Sequence, residues 1–404
     1  MLPVTSFFDL FAGVGGFRLG LERAGWRCTG WCEIDKWCQR VYRHRWPDGG
    51  WFWPDARTLD PSAMPDFDFL VGGPPCQAFS IAGKRKGFED SRGTLWYDCF
   101  RILEAKKPRG FIFENVKGLV CRPFRDREFR RILEILRGLG YTVFWRVLNS
   151  KDFGVPQNRE RVFIVGFRWE GPAPADFPWP EPRPLTVRLA DVLEREVPER
   201  YYLSQKTVER IRERMGRDPL AKLRVGGDVA TALDAHCWKG PDNHGARTLV
   251  RGGSIYPDGA DAGRVYSAGG LARSLKGSAG GLGGKTGLYA VLEDFYLGRV
   301  RALRRLTPRE CERLQGFPDD FSRWGVDEEG NVVEVPDTHR YRMMGNAVSV
   351  PVVEALGRAI NAYIRVLWGS AKTARPTAPS GGGRGSGSPR GWRACWRPAG
   401  WRRR

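Results

Sequence analysis

The stretch Ser6-Phe7-Phe8-Asp9-Leu10-Phe11-Ala12-Gly13-Val14-Gly15-Gly16-Phe17-Arg18 holds a strand-sized apolar run, a turn of small residues, and the start of a helical stretch from Phe17 to Ala24. Small residues let a ligand approach the backbone, and a helix N-terminus favours anionic groups. A dinucleotide fingerprint needs a third glycine, and Arg18 stands in its place. A nucleoside cofactor other than a pyrophosphate-bridged dinucleotide is therefore expected. Glu33, at the end of a second strand read from Cys28 to Ile34, is placed to hydrogen-bond ribose hydroxyls.

Strand and helix signals continue to alternate outward from this turn. Asp68-Phe69-Leu70-Val71, Phe111-Ile112-Phe113, Tyr141 to Val147 and Arg161 to Phe167 read as strands. Phe129, Ile132, Leu133 and Leu136 fall at i, i+3, i+4 and i+7, the spacing of an amphipathic helix that Gly138 and Gly140 stop. Such alternation predicts an α/β fold, with a mostly parallel sheet covered by helices on both faces. The composition shifts between Lys222 and Ala290, where 16 of 69 residues are glycine, about three times the usual frequency. A smaller, irregular, Gly-rich domain is expected there. Thr307-Pro308-Arg309-Glu310 combines a capping box with proline at the first helical position. Ser349-Val350-Pro351 opens a last helix, with Val352, Ala355, Leu356, Ala359 and Ile360 as its apolar stripe. These signals divide the chain into 1–184, completed by 340–368; a second domain at 185–339; and a disordered tail at 369–404.

The chain has 404 residues and a formal net charge of +20, with 41% hydrophobic residues and 16 Trp. Disorder throughout is excluded, and no apolar run approaches the ~20 residues that span a bilayer. Without a signal-peptide pattern at the start, a soluble cytoplasmic protein with no membrane partner is expected. From Ser370 onward nine basic and no acidic residues are interleaved with Trp392, Trp396 and Trp401. The first 369 residues remain clearly basic without that tail, which points to a polyanionic partner. Nine scattered cysteines without a CxxC pair argue for reduced thiols and no metal, although His236, Cys237 and His244 lie close in sequence.

Three further constellations carry chemistry. Gly72-Gly73-Pro74-Pro75-Cys76-Gln77-Ala78-Phe79-Ser80 follows a strand, where α/β sheets bind ligands. A cysteine is ordinarily a buried small hydrophobe, but a rigid Pro-Pro lead presents Cys76, and Lys84, Arg85 and Lys86 nearby favour thiolate. Glu114, in Phe113-Glu114-Asn115-Val116, sits just past an apolar strand, where desolvation holds a carboxyl protonated as a donor to a ring nitrogen. Gln157, Arg159 and Arg161 alternate ahead of a buried strand and so share one face. They suit either recognition of carbonyl and phosphate oxygens or a salt-bridged strand entry.

Taken in order, these motifs resemble the DNA (cytosine-5)-methyltransferase family of the bacterial and phage modification type. The resemblance also includes Glu33-Ile34-Asp35, Pro54-Asp55, Ser91 to Leu95, Arg305 to Glu310, Leu314 to Pro318 and Met344 to Val348. It implies an S-adenosylmethionine-dependent, Rossmann-like methyltransferase domain joined to a target-recognition region at about 185–300. Phe11, Gly13, Gly15, Glu33, Ile34, Asp55, Leu95 and Asn346 would surround the cofactor, with Glu33 on its ribose and Asp55 on its adenine amino group. Cys76 would attack carbon 6 of a cytosine swung out of the duplex, Glu114 would engage ring nitrogen 3, and Arg161 with Arg159 would hold the base carbonyl. The family's mobile loop corresponds to Ser80 to Gly87. Ser80, Lys84, Arg85, Arg92, Arg247, Arg251 and Arg273 are candidate contacts to double-stranded DNA. The resemblance further implies a monomer and a cognate restriction endonuclease as functional companion. Related tRNA enzymes share PPCQ and ENV, so RNA methylation is the alternative chemistry. A catalytically inactive DNA-binding regulator of the same fold is the alternative class. The long insert and basic surplus favour DNA, and the intact reactive positions favour an enzyme.

Overall fold

A computed structural model describes residues 4–74, 95–122, 124–169, 176–202 and 306–370, and the backbone of four short strands between 265 and 304. The opening run folds as β1 (Ser6–Leu10), and the glycine turn delivers α1 (Gly16–Arg23). Then follow β2 (Arg27–Cys32), α2 (Lys36–Arg45), β3 (Trp51–Trp53), β4 (Phe69–Gly72), α3 (Leu95–Lys106), β5 (Gly110–Val116), α4 (Glu128–Gly138), β6 (Tyr141–Asn149), β7 (Gln157–Asn158) and β8 (Glu160–Arg168). Seven strands form one sheet in the order β3-β2-β1-β4-β5-β8-β6. All of them run parallel except β8, which is antiparallel to both β5 and β6.

Alternation along β1 assigns the faces. Phe7 meets Trp26 on one side, whereas Phe8 and Leu10 enter a core with Trp96, Phe111, Phe113 and Ile132 from α3, β5 and α4. The predicted stripe of α4 is buried as spaced, and each such side chain contributes about 1.5–3 kcal/mol on burial. Arg18 is buried rather than exposed. Its guanidinium lies over the Trp46 ring, 4.6 Å from the centroid, and its Nε donates to Glu22 Oε1 at 2.7 Å. An arginine is thus accommodated where a dinucleotide turn has glycine.

Beyond the sheet come α5 (Leu189–Val192), β9 (Val265–Ser267), β10 (Ala272–Arg273), β11 (Leu288–Val291), β12 (Ala302–Arg304), α6 (Pro308–Gln315), β13 (Trp324–Val326), β14 (Val332–Glu334), α7 (Asp337–Asn346) and α8 (Val350–Ser370). The capping box of α6 forms as read: Thr307 Oγ1 accepts from Glu310 N at 3.2 Å, and Glu310 Oε2 accepts from Thr307 N at 2.7 Å. Leu189, Tyr201, Leu314, Phe317, Phe321 and Met344 share a second core with Val14, Cys38 and Val41. The segment 306–346 therefore packs directly on α1 and α2, and the boundary expected between 339 and 340 falls inside α7. Residues Met1–Tyr363 form one compact unit and Ile364–Arg404 a second. Most of the Gly-rich stretch, the His236, Cys237 and His244 trio, and the tail beyond 370 lie outside the described residues. No helix among the described residues is long and apolar enough to cross a membrane.

Candidate functional site

The carboxyl ends of β1, β2, β4 and β5 open on a single cavity of about 460 Å³, a size suited to a small-molecule ligand. At one end stand Phe11, Gly13, Glu33 and Ile34; at the other stand Gly73, Pro74, Glu114, Asn115 and Arg161; α7 supplies His339, Arg342 and Asn346. Arg159 lines it as well.

The first end is shaped by the glycine turn. Phe11 adopts a left-handed backbone, φ 60°, which costs a non-glycine residue about 1–3 kcal/mol and is typical of sites where geometry is over-determined. Glu33 stands just past β2. Its Oε2 accepts from Gly13 N and its Oε1 from Asp35 N, each at 2.7 Å. Burial raises its pKa above the ordinary carboxylate value, opposed by these backbone donors. Each oxygen keeps lone-pair capacity for a diol. A Cβ on Gly13 would meet nothing within 4 Å, so the turn leaves open space in front of it. Ile34 is 61% exposed, an apolar surface available to stack on a ring. These features fit a nucleoside.

Three expected cofactor residues stand apart from this lining. Gly15 has φ 86°, and a Cβ there would run into the Trp46 ring behind the turn, so it serves packing rather than contact. Leu95 opens α3 and does not line the cavity. Asp55 caps the 3-10 turn Ala56–Thr58 and holds Arg57 in a two-pronged pair, Nη2 to Oδ2 at 2.7 Å and Nε to Oδ1 at 3.0 Å. The Arg57 hydrogen bonds keep its pKa below the usual carboxylate value.

At the other end, Arg161 Nε lies 3.0 Å from Glu114 Oε1. The register of β5 and β8 brings the two strands together there, with Glu114 opposite Phe163 and Val116 opposite Arg161. Desolvation raises the Glu114 pKa, and the nearby Arg161 and Arg159 charges partly oppose that rise. A Cβ on Gly73 would sit 3.3 Å from Glu114 Oε2, so the carboxyl faces the lead into the cysteine segment. Cys76 itself, with Ser80, Lys84, Arg85 and Arg92, lies outside the described residues, as do Arg247 and Arg251. Arg273 is placed by its backbone only, in β10, opposite Asn158 of β7. The irregular segment thus attaches beside the Gln157–Arg161 motif.

The shared face expected for Gln157, Arg159 and Arg161 divides between two tasks. Arg159 is buried, and its Nη2 donates to the carbonyls of Ala347 at 2.8 Å and Gly345 at 3.1 Å. Gln157 Nε2 donates to Leu314 O at 2.7 Å. Arg159 braces the end of α7 that carries Asn346, Gln157 braces the end of α6, and Arg161 pairs with Glu114. Gln315 joins them by donating to Met344 O at 2.6 Å. Asn115 Nδ2 donates to Pro74 O at 3.2 Å, tying the cysteine lead to the Glu114 strand. Gln315 and Asn115 both stand inside recognised motifs, but composition gives no hint of their long-range carbonyl partners. Arg159→Ala is expected to lower stability by about 2–4 kcal/mol, because buried carbonyls lose a charged donor. Arg161→Ala, which loses a pair at the cavity rather than a brace between helices, should lower stability less; thermal melting of the two variants separates them.

Asp9 lies beneath the turn, fully buried, and no side chain among the described residues donates a hydrogen bond to it, while the Arg18 backbone N–H is turned towards its carboxyl. Desolvation pushes its pKa up to about 8, against the opposing Arg18 charge. The folded chain therefore binds a proton that the unfolded chain releases near 4, and stability falls as pH rises towards 8. Asp9→Asn should flatten the decline of melting temperature over that range; an unchanged slope would contradict the assignment.

The family model of the C-5 cytosine-specific DNA methylases matches residues 5–362. A Type II methyltransferase of Neisseria gonorrhoeae, M.NgoBI, is 37% identical over 353 residues, covering 86% of this chain and 90% of its own. M.DsaV, a Type II methyltransferase of Dactylococcopsis salina, is 34% identical over 362 residues, covering 89% and 86%. The solved S. pombe Dnmt2 methyltransferase superposes with a TM-score of 0.61 at 18% identity, covering 89% of this chain and 99% of its own, a likeness of fold. With a seven-stranded sheet bearing one antiparallel strand, a nucleoside-sized cavity and a sequence match from residue 5 to 362, this chain belongs to the C-5 cytosine-specific DNA methylase family and methylates DNA cytosine.

Proposed function

We propose that the chain transfers a methyl group to carbon 5 of cytosine within a specific short DNA sequence, by covalent attack of Cys76 on carbon 6 of an extruded base. The observation that carries this reading is one cavity holding both the Glu33 diol acceptor and the Glu114–Arg161 pair. S-adenosylmethionine would be held by Phe11, Gly13, Glu33, Ile34 and Asn346, and when bound it supplies an electrophilic methyl group. Asp55 joins the adenine site once Arg57 releases it, while Gly15 and Leu95 support the site from outside its lining.

Cytosine carbon 5 is a poor nucleophile, and thiolate addition at carbon 6 turns the ring into an enamine. Glu114 donates its proton towards ring nitrogen 3 as the thiolate adds, and Arg161 steadies that carboxyl and the base carbonyl. Arg159 acts as a brace behind them. Loss of the carbon 5 proton and elimination then free Cys76. Extrusion of the base costs a few kcal/mol, met by contacts from Ser80, Lys84, Arg85 and Arg92. Arg247, Arg251 and Arg273 of the 185–300 region are proposed as further contacts to the duplex. The Type II designation of the relatives supports a companion endonuclease; monomeric action on duplex DNA is part of the proposal. The test is incubation with unmethylated genomic DNA or with tRNA and a labelled methyl donor, followed by nucleoside analysis. Label in 5-methylcytosine from DNA supports the reading; label from tRNA alone would overturn it.

A further inference from the structure

Past Val116 the chain makes two 3-10 turns, Lys117–Val120 and Phe124–Asp126, before entering α4. In open α/β sheets the segments beyond the carboxyl ends of parallel strands form the ligand-binding rim, and these turns leave the sheet at the end of β5 that carries Glu114. Leu119 and Phe124 anchor them in the main core. Backbone bonds from Cys121 N to Gly118 O, Arg125 N to Cys121 O and Arg127 N to Phe124 O fix their path. On this pedestal Arg122, Arg125 and Arg127 are exposed. Asp126 is shared by two of them, Arg122 at 3.2 Å and Arg125 at 3.3 Å, which leaves the turn net positive. Lys117 Nζ lies 2.9 Å from Glu160, the residue preceding Arg161, so the ledge begins at the catalytic strand.

We propose that this ledge binds the phosphodiester backbone of duplex DNA flanking the extruded base, as a contact surface separate from the cofactor and base cavity. The inference rests on DNA being the substrate. Three arginines on an anchored turn meet phosphates without the cost of ordering a backbone, leaving only that of their side chains, and exposed pairs to a single carboxylate are weak enough to exchange for phosphate. Because such contacts carry no sequence information, they add affinity on any duplex.

The test uses the full chain and a mixed-sequence duplex longer than the cleft. Arg122→Ala/Arg125→Ala/Arg127→Ala is compared with the corresponding triple lysine variant, with cofactor binding and melting temperature reporting on folding. The alanine variant should flatten the plot of log affinity against log salt by about 0.9 per lost phosphate contact, thus by up to ~3, and weaken binding at least ~10-fold at about 50 mM salt. The lysine variant should retain most of the wild-type slope. An alanine variant with the wild-type slope, or a lysine variant as weak as the alanine one, overturns the ledge while leaving the DNA reading intact. A wild-type chain that binds no duplex overturns both.

Discussion

Cys76→Ala is expected to abolish methyl transfer, by at least about three orders of magnitude, while binding to duplex DNA stays largely intact. In the proposed mechanism the loss is large because only the thiolate adds to carbon 6; the roles proposed for Glu114 and Arg161, orienting and protonating the ring, include no addition to it. The buried thiols offer no substitute. Burial pushes the Cys28 thiol up to about 12 and raises those of Cys32, Cys38, Cys99 and Cys311 as well. Pro74, two residues before Cys76, has its carbonyl held by Asn115, so the approach to the nucleophile is anchored even though alanine removes its sulfur. Single-turnover transfer and gel-shift binding, measured on one preparation, check the two halves of the expectation. Retained transfer would remove Cys76 from the mechanism.

Glu114→Gln is the second large effect, expected to lower the rate about 10²–10⁴-fold. Glutamine keeps the shape and a donor but has no proton to give to ring nitrogen 3. The pH behaviour separates this role from a structural one. Burial lifts the folded Glu114 pKa above the ordinary value despite Arg161 and Arg159, so the protonated donor persists to a higher pH than in a solvated glutamate. Wild-type transfer should therefore decline as pH rises through that raised value, and the glutamine variant should lose this limb of the profile. A variant that keeps the wild-type limb at reduced rate would place the titrating group elsewhere.

The β1–turn–α1 unit could be read from sequence because its signals are local: an apolar strand, glycines, a helical stripe. The capping box at Thr307 and the buried face of α4 are local in the same sense. Elements lacking a clear period escaped. In α2 arginines crowd the buried Cys38, Val41 and Tyr42, and β3 is three aromatic residues that pair only with β2. In the site, Glu33, Glu114 and Arg161 were legible because their chemistry follows from residue type at a strand end. The direction of Arg159 was not. Alternation fixes which face it shares, but its partners, Gly345 and Ala347, come from a turn almost two hundred residues away. The same limit applies to Asp55, whose neighbour Arg57 was invisible as a competitor for its carboxylate. For Gly15, a left-handed glycine that touches ligand and one that clears space for Trp46 look alike in sequence.

The most direct measurement is bisulfite sequencing of DNA from methylation-deficient cells expressing this chain, beside cells expressing Cys76→Ala. Protected cytosines at one recurring short sequence with the wild-type chain, and none with the variant, are the predicted result. Soluble wild-type protein that protects no cytosine, or a variant that protects the same ones, would contradict it.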